Sequence, residues 1–192
     1  MDGTLDRFLP RCHRRAVHRI TVAAPPEQVW AALCAVTLAE LPLPRALLRL
    51  RMLPGRLCGA GPGPVEDGVP PAELFRRAGR WVTLLEEPGR ALVLGRAARF
   101  WRPVPEGSPP LRDAAGFLAF EAPGYAKAVI PHDVLPHGDG SLLVTETRVC
   151  GTDSRSARLL AAYWCLIRPG VGLIRRSALA AVARRCGGPR RR

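Results

Sequence analysis

Lysine, paired cysteines and long apolar runs are scarce in this sequence of 192 residues, and each scarcity excludes a class of protein. Lys127 is the only lysine, so arginine carries nearly all of the cationic charge behind the net charge of +13. The six cysteines form no CxxC pair and no His/Cys cluster at metal-ligand spacing, which argues against a structural zinc site. No uninterrupted apolar run approaches the ~20 residues that a membrane-spanning helix needs.

Targeting segments and standard catalytic motifs are also missing. No apolar N-terminal segment precedes a cleavage site, and the cysteines are scattered through apolar stretches such as 30–36 and 163–167. We therefore expect a cytoplasmic protein whose cysteines are small buried hydrophobes rather than disulfides. The GxSxG, HExxH, P-loop, GxGxxG and EF-hand patterns are absent, so the sequence predicts no metal and no cofactor.

The composition that is present is typical of one globular domain with many turns. Hydrophobic residues make up 47% of the chain, charged residues 23%, and there are 20 prolines and 19 glycines. We divide the chain into an N-terminal arm at 1–16, a globular domain at 17–186 and a basic tail at 187–192.

The periodicity of apolar residues predicts strands and helices in an order that indicates an α+β fold. A strand is expected at 18–23, helices after Pro25 and over 41–57, a loop at 59–71 and a short helix at 72–78. Further strands are expected at 81–86, 91–94, 98–104, 117–121, 126–135 and 142–150. Asp153 is expected to cap a long final helix, which Pro169 would kink.

Four stretches carry a family likeness. They are 18–30 (HRITVAAPPEQVW), 117–128 (FLAFEAPGYAKA), 138–153 (GDGSLLVTETRVCGTD) and 163–176 (YWCLIRPGVGLIRR). Through them the chain resembles bacterial members of the SRPBCC superfamily, the helix-grip group that includes START lipid-transfer domains and polyketide cyclases. The resemblance implies a curved antiparallel sheet wrapped around a long C-terminal helix, with a cavity between them for an apolar ligand such as a lipid or polyketide. It requires no metal and no nucleotide.

The predicted hairpin at 126–150 sorts its side chains onto two faces, since alternate residues of a strand point to opposite sides. The face without charged residues is expected to line the cavity, because buried charge is costly unless it is paired. The expected ligand-binding residues are His18, Ile130, His132, Thr145, Thr147, Leu159, Tyr163 and Ile167. If the other face pointed inward, the cavity would instead hold a polar site of Lys127, Glu146 and Arg148.

These patterns leave three functions open. The first is binding or carriage of a small hydrophobic molecule in the internal cavity. The second is an enzyme of the polyketide cyclase or aromatase kind, in which a His, Tyr or Glu side chain moves a proton. The third is adhesion to an anionic membrane surface, because ten arginines and no acidic residue follow Asp153. A nucleic-acid partner is disfavoured, since these arginines are not interleaved with aromatic residues.

Overall fold

The computed structural model describes residues 6–57, 68, 81–102, 109 and 111–188. Within these residues the chain forms five strands, four helices of six residues or more and one short 3-10 helix (Leu38–Glu40). The strands are β1 (Arg14–Val22), β2 (Val82–Glu87), β3 (Ala91–Ala98), β4 (Ala126–His137) and β5 (Gly140–Gly151). The helices are α1 (Pro26–Ala35), α2 (Pro42–Leu57), α3 (Ala114–Ala119) and α4 (Ser154–Arg185).

The strands form one antiparallel sheet in the order β1-β5-β4-β3-β2. The tight turn between β4 and β5 contains Gly138, whose φ of 56° is a left-handed conformation that favours glycine. The long helix α4 packs across one face of the sheet, mainly over β1 and β5. This arrangement confirms the expected α+β class and the helix-grip architecture.

Asp153 caps α4, as the sequence predicts. Its carboxylate accepts hydrogen bonds from the backbone N–H of Ser156 at 2.8 Å and of Gly124 at 2.6 Å. These bonds hold the pKa of Asp153 well below its usual range. The helix then runs unbroken to Arg185 with Pro169 inside it.

Both faces of the sheet are covered by apolar side chains. We call the face that packs on α4 the inner face and the opposite one the outer face. On the inner face, Val22 and Leu143 pack with Val182 near the C-terminal end of α4, and Val149 packs with Trp164 nearer its N-terminal end. The outer face is covered by the N-terminal segment and α3, through Phe8, Leu9 and Phe117.

Three predicted elements differ from the structure. The expected strand at 117–121 is the helix α3, because Asp113 caps it by accepting a hydrogen bond from the Gly116 N–H at 2.7 Å. The expected strand at 91–94 continues to Ala98 as β3, whereas the expected strand at 98–104 is not formed over 99–102, where the chain turns; residues 103 and 104 lie outside the described residues. The first strand begins at Arg14 rather than His18. The predicted loop at 59–71, apart from Gly68, and the helix at 72–78 lie outside the described residues.

Two further expectations need correction. Part of the stretch 1–16 packs against the sheet, since Phe8 and Leu9 are buried. The cysteines are not uniformly buried: Cys12, Cys34 and Cys165 are exposed, Cys150 is half-buried and Cys186 is buried. No disulfide joins these five described cysteines. Sequence patterns overestimated their burial because the helices α1 and α4 each turn one face to solvent.

Candidate functional site

A row of polar side chains crosses the middle of the inner face. His18 on β1 is paired with Thr145 on β5, and Thr145 is paired in turn with His132 on β4. Residues directly opposite in an antiparallel pair point to the same side, so the three side chains lie next to one another. Thr147, two residues along β5 from Thr145, continues the cluster on the same face.

The helix α4 contributes Arg175 to this cluster. Burial lowers the pKa of the Arg175 guanidinium to about 10, and the charge of Arg175 lowers the pKa values of both His18 and His132. The helix is close to the strand at Gly172: a Cβ on Gly172 would be in van der Waals contact with His18 Nε2 at 3.5 Å and with Arg176 Nη2 at 3.4 Å. The strand histidines and the helical arginine therefore share one site, which we call the inner polar site (His18, His132, Thr147 and Arg175).

Several atoms of the inner polar site are buried without a hydrogen-bond partner. They are His18 Nδ1, His132 Nδ1, Thr147 Oγ1 and Arg175 Nε, and no other buried side-chain nitrogen or oxygen of the described residues lacks one. Leaving a buried polar atom unpaired costs roughly 1–3 kcal/mol, so native proteins keep few of them. Their concentration at one place is the usual mark of a functional site.

Burial also keeps the histidines uncharged. The pKa of His132 is lowered to about 3, mainly by burial and then by the charge of Arg175. The pKa of His18 is lowered by burial and by the charges of Arg176 and Arg175. Both imidazoles are thus neutral at neutral pH, and each carries one N–H donor and one acceptor nitrogen. A histidine with a pKa near 3 is a weak general base.

The inner polar site is not fully covered by protein atoms. His18, His132 and Arg175 each keep part of their surface accessible, although burial depresses their pKa values. The inner-face clusters that contain Val182 and Trp164 lie on its two sides along α4.

The structure places most of the predicted ligand-binding residues on the inner side. Ile130 is buried, Ile167 is half-buried and packs in the cluster around Trp164, and Tyr163 is half-buried. The expected placement of Leu159 on the inner side is wrong, because 41% of its surface is exposed on the side of α4 that faces away from the sheet. The next residue, Leu160, packs on the sheet instead.

The hydroxyl of Thr145 is used in a hydrogen bond within the sheet. It donates a hydrogen bond to the backbone carbonyl of Pro131 at 2.9 Å. The ladder between β4 and β5 is interrupted at Ile130 and Pro131, since proline has no N–H to donate. Thr145 therefore stabilises the strand at the point where a backbone pair is lost, and Thr147 is the threonine whose hydroxyl remains unpaired.

The alternative polar site lies on the outer face, away from α4. Glu146 and Arg148 are buried there and paired with each other, with Arg15 bound to Glu146 at 2.7 Å and Asp6 bound to Arg148 at 2.6 Å. Lys127 is not part of this network: its Nζ donates to the carbonyls of Leu118 and Phe120 at the end of α3. These three residues do not form a joint ligand site.

Arg175 is the member of the site that sequence reasoning missed. In the sequence, Arg175 stands out only as one of the arginines of the final helix. A usable signal was present, because Arg175 lies three and four residues from Gly172 and Leu179, which both face the sheet. Among the described residues, no group of three or more His, Cys, Asp or Glu side chains is placed to hold a metal ion.

No family model matches the chain, and no curated protein matches it. Among solved structures, it is similar to a protein from Mesorhizobium loti, with 14% identity and a TM-score of 0.41 over 89% of this chain and 98% of that one. An AHSA1-like protein from Rhizobium etli is 17% identical, with a TM-score of 0.35 over 88% of this chain and 82% of that one. CalU16 from Micromonospora echinospora is 17% identical, with a TM-score of 0.30 over 91% and 84%.

With identities of 14–17% and TM-scores below 0.5, these likenesses assign neither a superfamily nor a function to this chain. The helix-grip architecture itself is read from the sheet and α4 of this chain.

Proposed function

We propose that the protein binds a small, largely apolar molecule between the inner face of its sheet and α4. The observation that carries this proposal is the cluster of unpaired, partly accessible polar groups set between apolar side chains. Ligand pockets have this composition, with mostly hydrophobic walls and a few polar groups that orient the guest. We propose a cytoplasmic location for this activity, and carriage of the ligand rather than its chemical conversion.

The proposal is tested by native mass spectrometry of protein purified from its own host and by titration with a fluorescent lipid. Ile167 faces the inner side of α4 and Cys165 is exposed on the same helix, so they form a matched pair. Ile167→Trp should fill the interior and abolish binding, whereas Cys165→Trp should leave binding unchanged. A protein that carries no apolar molecule and binds no lipid probe would disprove the proposal.

A second function is favoured by the side of α4 that faces away from the sheet. Leu159, Leu166 and Leu173 recur every seven residues along this helix, and they are 41%, 79% and 44% exposed. Residues seven apart lie on one face of a helix, so these leucines form an apolar stripe. We propose that this stripe, with exposed arginines beside it such as Arg155 and Arg158, rests on an anionic membrane surface.

The length and composition of α4 add support to this membrane contact. The helix is long and apolar enough to cross a bilayer by those two criteria alone, and little of its most apolar window is buried. In the folded chain, however, Leu160, Trp164 and Val182 pack on the sheet. We therefore propose that α4 lies along the membrane surface and does not cross the bilayer.

Sedimentation with lipid vesicles tests this second proposal. The protein should bind vesicles that contain phosphatidylglycerol and not vesicles of phosphatidylcholine alone, and high salt should weaken the binding. Leu166→Glu should reduce binding, while Leu118→Glu, an exposed leucine on α3, should not. Equal binding to both vesicle types, or stronger binding to nucleic acid than to vesicles, would contradict it.

A further inference from the structure

Among the described residues, the charge of Arg175 has no partner on the inner side of the protein. Its Nε is buried without a hydrogen bond. The helix α4 contains no acidic residue, and neither does β1. The acidic residues of the strands β4 and β5, Asp133 and Glu146, point to the outer face, and Glu146 is already paired with Arg15 and Arg148.

An uncompensated guanidinium in such a place is unfavourable, since charge taken out of water needs a partner of opposite sign. The neighbouring histidines do not supply one. They are neutral at neutral pH and are held so by burial and by arginine charge. The buried charge of the inner polar site is thus that of Arg175, with the exposed Arg176 near His18, and the unpaired groups of His18 and Thr147 can donate hydrogen bonds. The N–H of His132 already donates to the Leu92 backbone carbonyl.

We propose that the ligand is an amphipathic monoanion, an apolar molecule ending in a carboxylate, whose head group pairs with Arg175. This inference rests on the proposed cavity function and names the class of its ligand. A carboxylate matches the planar fork of a guanidinium and balances a single positive charge. A phosphate dianion would need a second cation beside Arg175, and the nearby Arg176 is exposed to solvent rather than buried in the site.

The surrounding side chains complete the recognition. The hydroxyl of Thr147 and an imidazole N–H of His18 can donate to the carboxylate oxygens that Arg175 leaves free. The apolar tail then lies against the aliphatic and aromatic side chains on either side, such as Ile130 and Ile167. A neutral ligand with the same tail would leave Arg175 unpaired and should bind less well.

The test compares a fluorescent long-chain fatty acid with its methyl ester on the full-length protein. Hydrogen bonds to a charged group are worth about 1.5–3 kcal/mol, so the acid should bind roughly ten- to a hundredfold more tightly than the ester. Arg175→Gln should remove this preference, so that the acid and the ester bind with similar affinity. Arg112→Gln removes the same charge from an exposed position and should retain the preference.

The outcomes separate this inference from the cavity function. If wild-type protein binds acid and ester equally, the cavity function stands and the carboxylate assignment is wrong. If neither compound binds, both are wrong. Because the wild-type comparison requires no variant, it decides the matter even if Arg175→Gln fails to fold. A long-chain alkyl phosphate that binds more tightly than the fatty acid would also overturn the assignment.

Discussion

His18 and His132 flank the same residue, Thr145, from opposite sides on the inner face of the sheet. The two imidazoles belong to strands that are more than a hundred residues apart in the chain, and β5 lies between them. Both are neutral, and the Nδ1 atom of each is buried without a partner. This relationship makes the centre of the inner face polar while its two ends stay apolar.

Acid should destabilise the fold through His132. Its pKa is about 3 in the folded chain against an ordinary value of 6.5, so below pH 6.5 the unfolded chain takes up a proton that the native protein does not. The free energy of unfolding should therefore fall as the pH drops from 6.5 toward 3, by up to ~1.4 kcal/mol per pH unit for this group.

Urea denaturation at a series of pH values measures this effect. His132→Gln should flatten the pH dependence, whereas His137→Gln at the exposed hairpin should leave it unchanged. An identical slope in wild type and His132→Gln would show that the buried imidazole does not control acid sensitivity.

The charge network on the outer face should contribute to stability and not to ligand binding. Glu146 is buried between Arg15 and Arg148, and removing one partner of a buried ion pair typically costs about 3 kcal/mol. Glu146→Gln should lower the free energy of unfolding by about this amount. The exposed pair of Glu87 and Arg90 provides the control, since Glu87→Gln should change stability by less than ~1 kcal/mol.

Ligand affinity measured on the same Glu146→Gln protein, at a temperature where it is folded, should equal that of the wild type. A selective loss of affinity without loss of stability would place Glu146 in the binding site after all.

Two adjacent leucines test which side of α4 faces the sheet. Leu160 is 1% exposed and packs with Trp164, whereas Leu159 is on the outside. Leu160→Ala should destabilise the protein by about 2–5 kcal/mol because it leaves a cavity in the core. Leu159→Ala should change stability by less than ~0.5 kcal/mol, as measured by chemical denaturation. The reverse order would mean that α4 is rotated about its axis.

A surface ion pair ties the end of α4 to the short 3-10 helix. The Nε and Nη2 atoms of Arg185 each donate to the Glu40 carboxylate at 2.8 Å, and these bonds, with one from the Thr37 N–H, lower the pKa of Glu40 to about 2 from 4.5. The stabilisation that this pair gives the folded state is therefore fully present above pH 4.5 and is lost as the pH falls toward 2. Thermal unfolding of wild type and Glu40→Gln should differ at pH 6 and converge near pH 2.

Local patterns predicted most of the regular elements correctly. The helix over 41–57 and the Asp153 cap are confirmed, because apolar spacing and capping are properties of neighbouring residues. The prediction of a strand at 117–121 was wrong because a short apolar run fits a strand as well as a helix. The Asp113 cap, which decides between the two, was overlooked. The strand alternation also identified the face of the hairpin that packs on α4.

By itself, the sequence determined the α+β class, the antiparallel hairpin and the excess of arginine on the final helix, since each depends on residues close together in the chain. Only the tertiary structure decided that Arg175 faces the two histidines while Leu159 faces solvent, and that Glu146 and Arg148 are buried under the N-terminal segment. The physical reason is that burial and charge pairing depend on which distant strands and helices pack together. A helical arginine has the same local sequence pattern whether its side chain reaches water or is buried against the sheet.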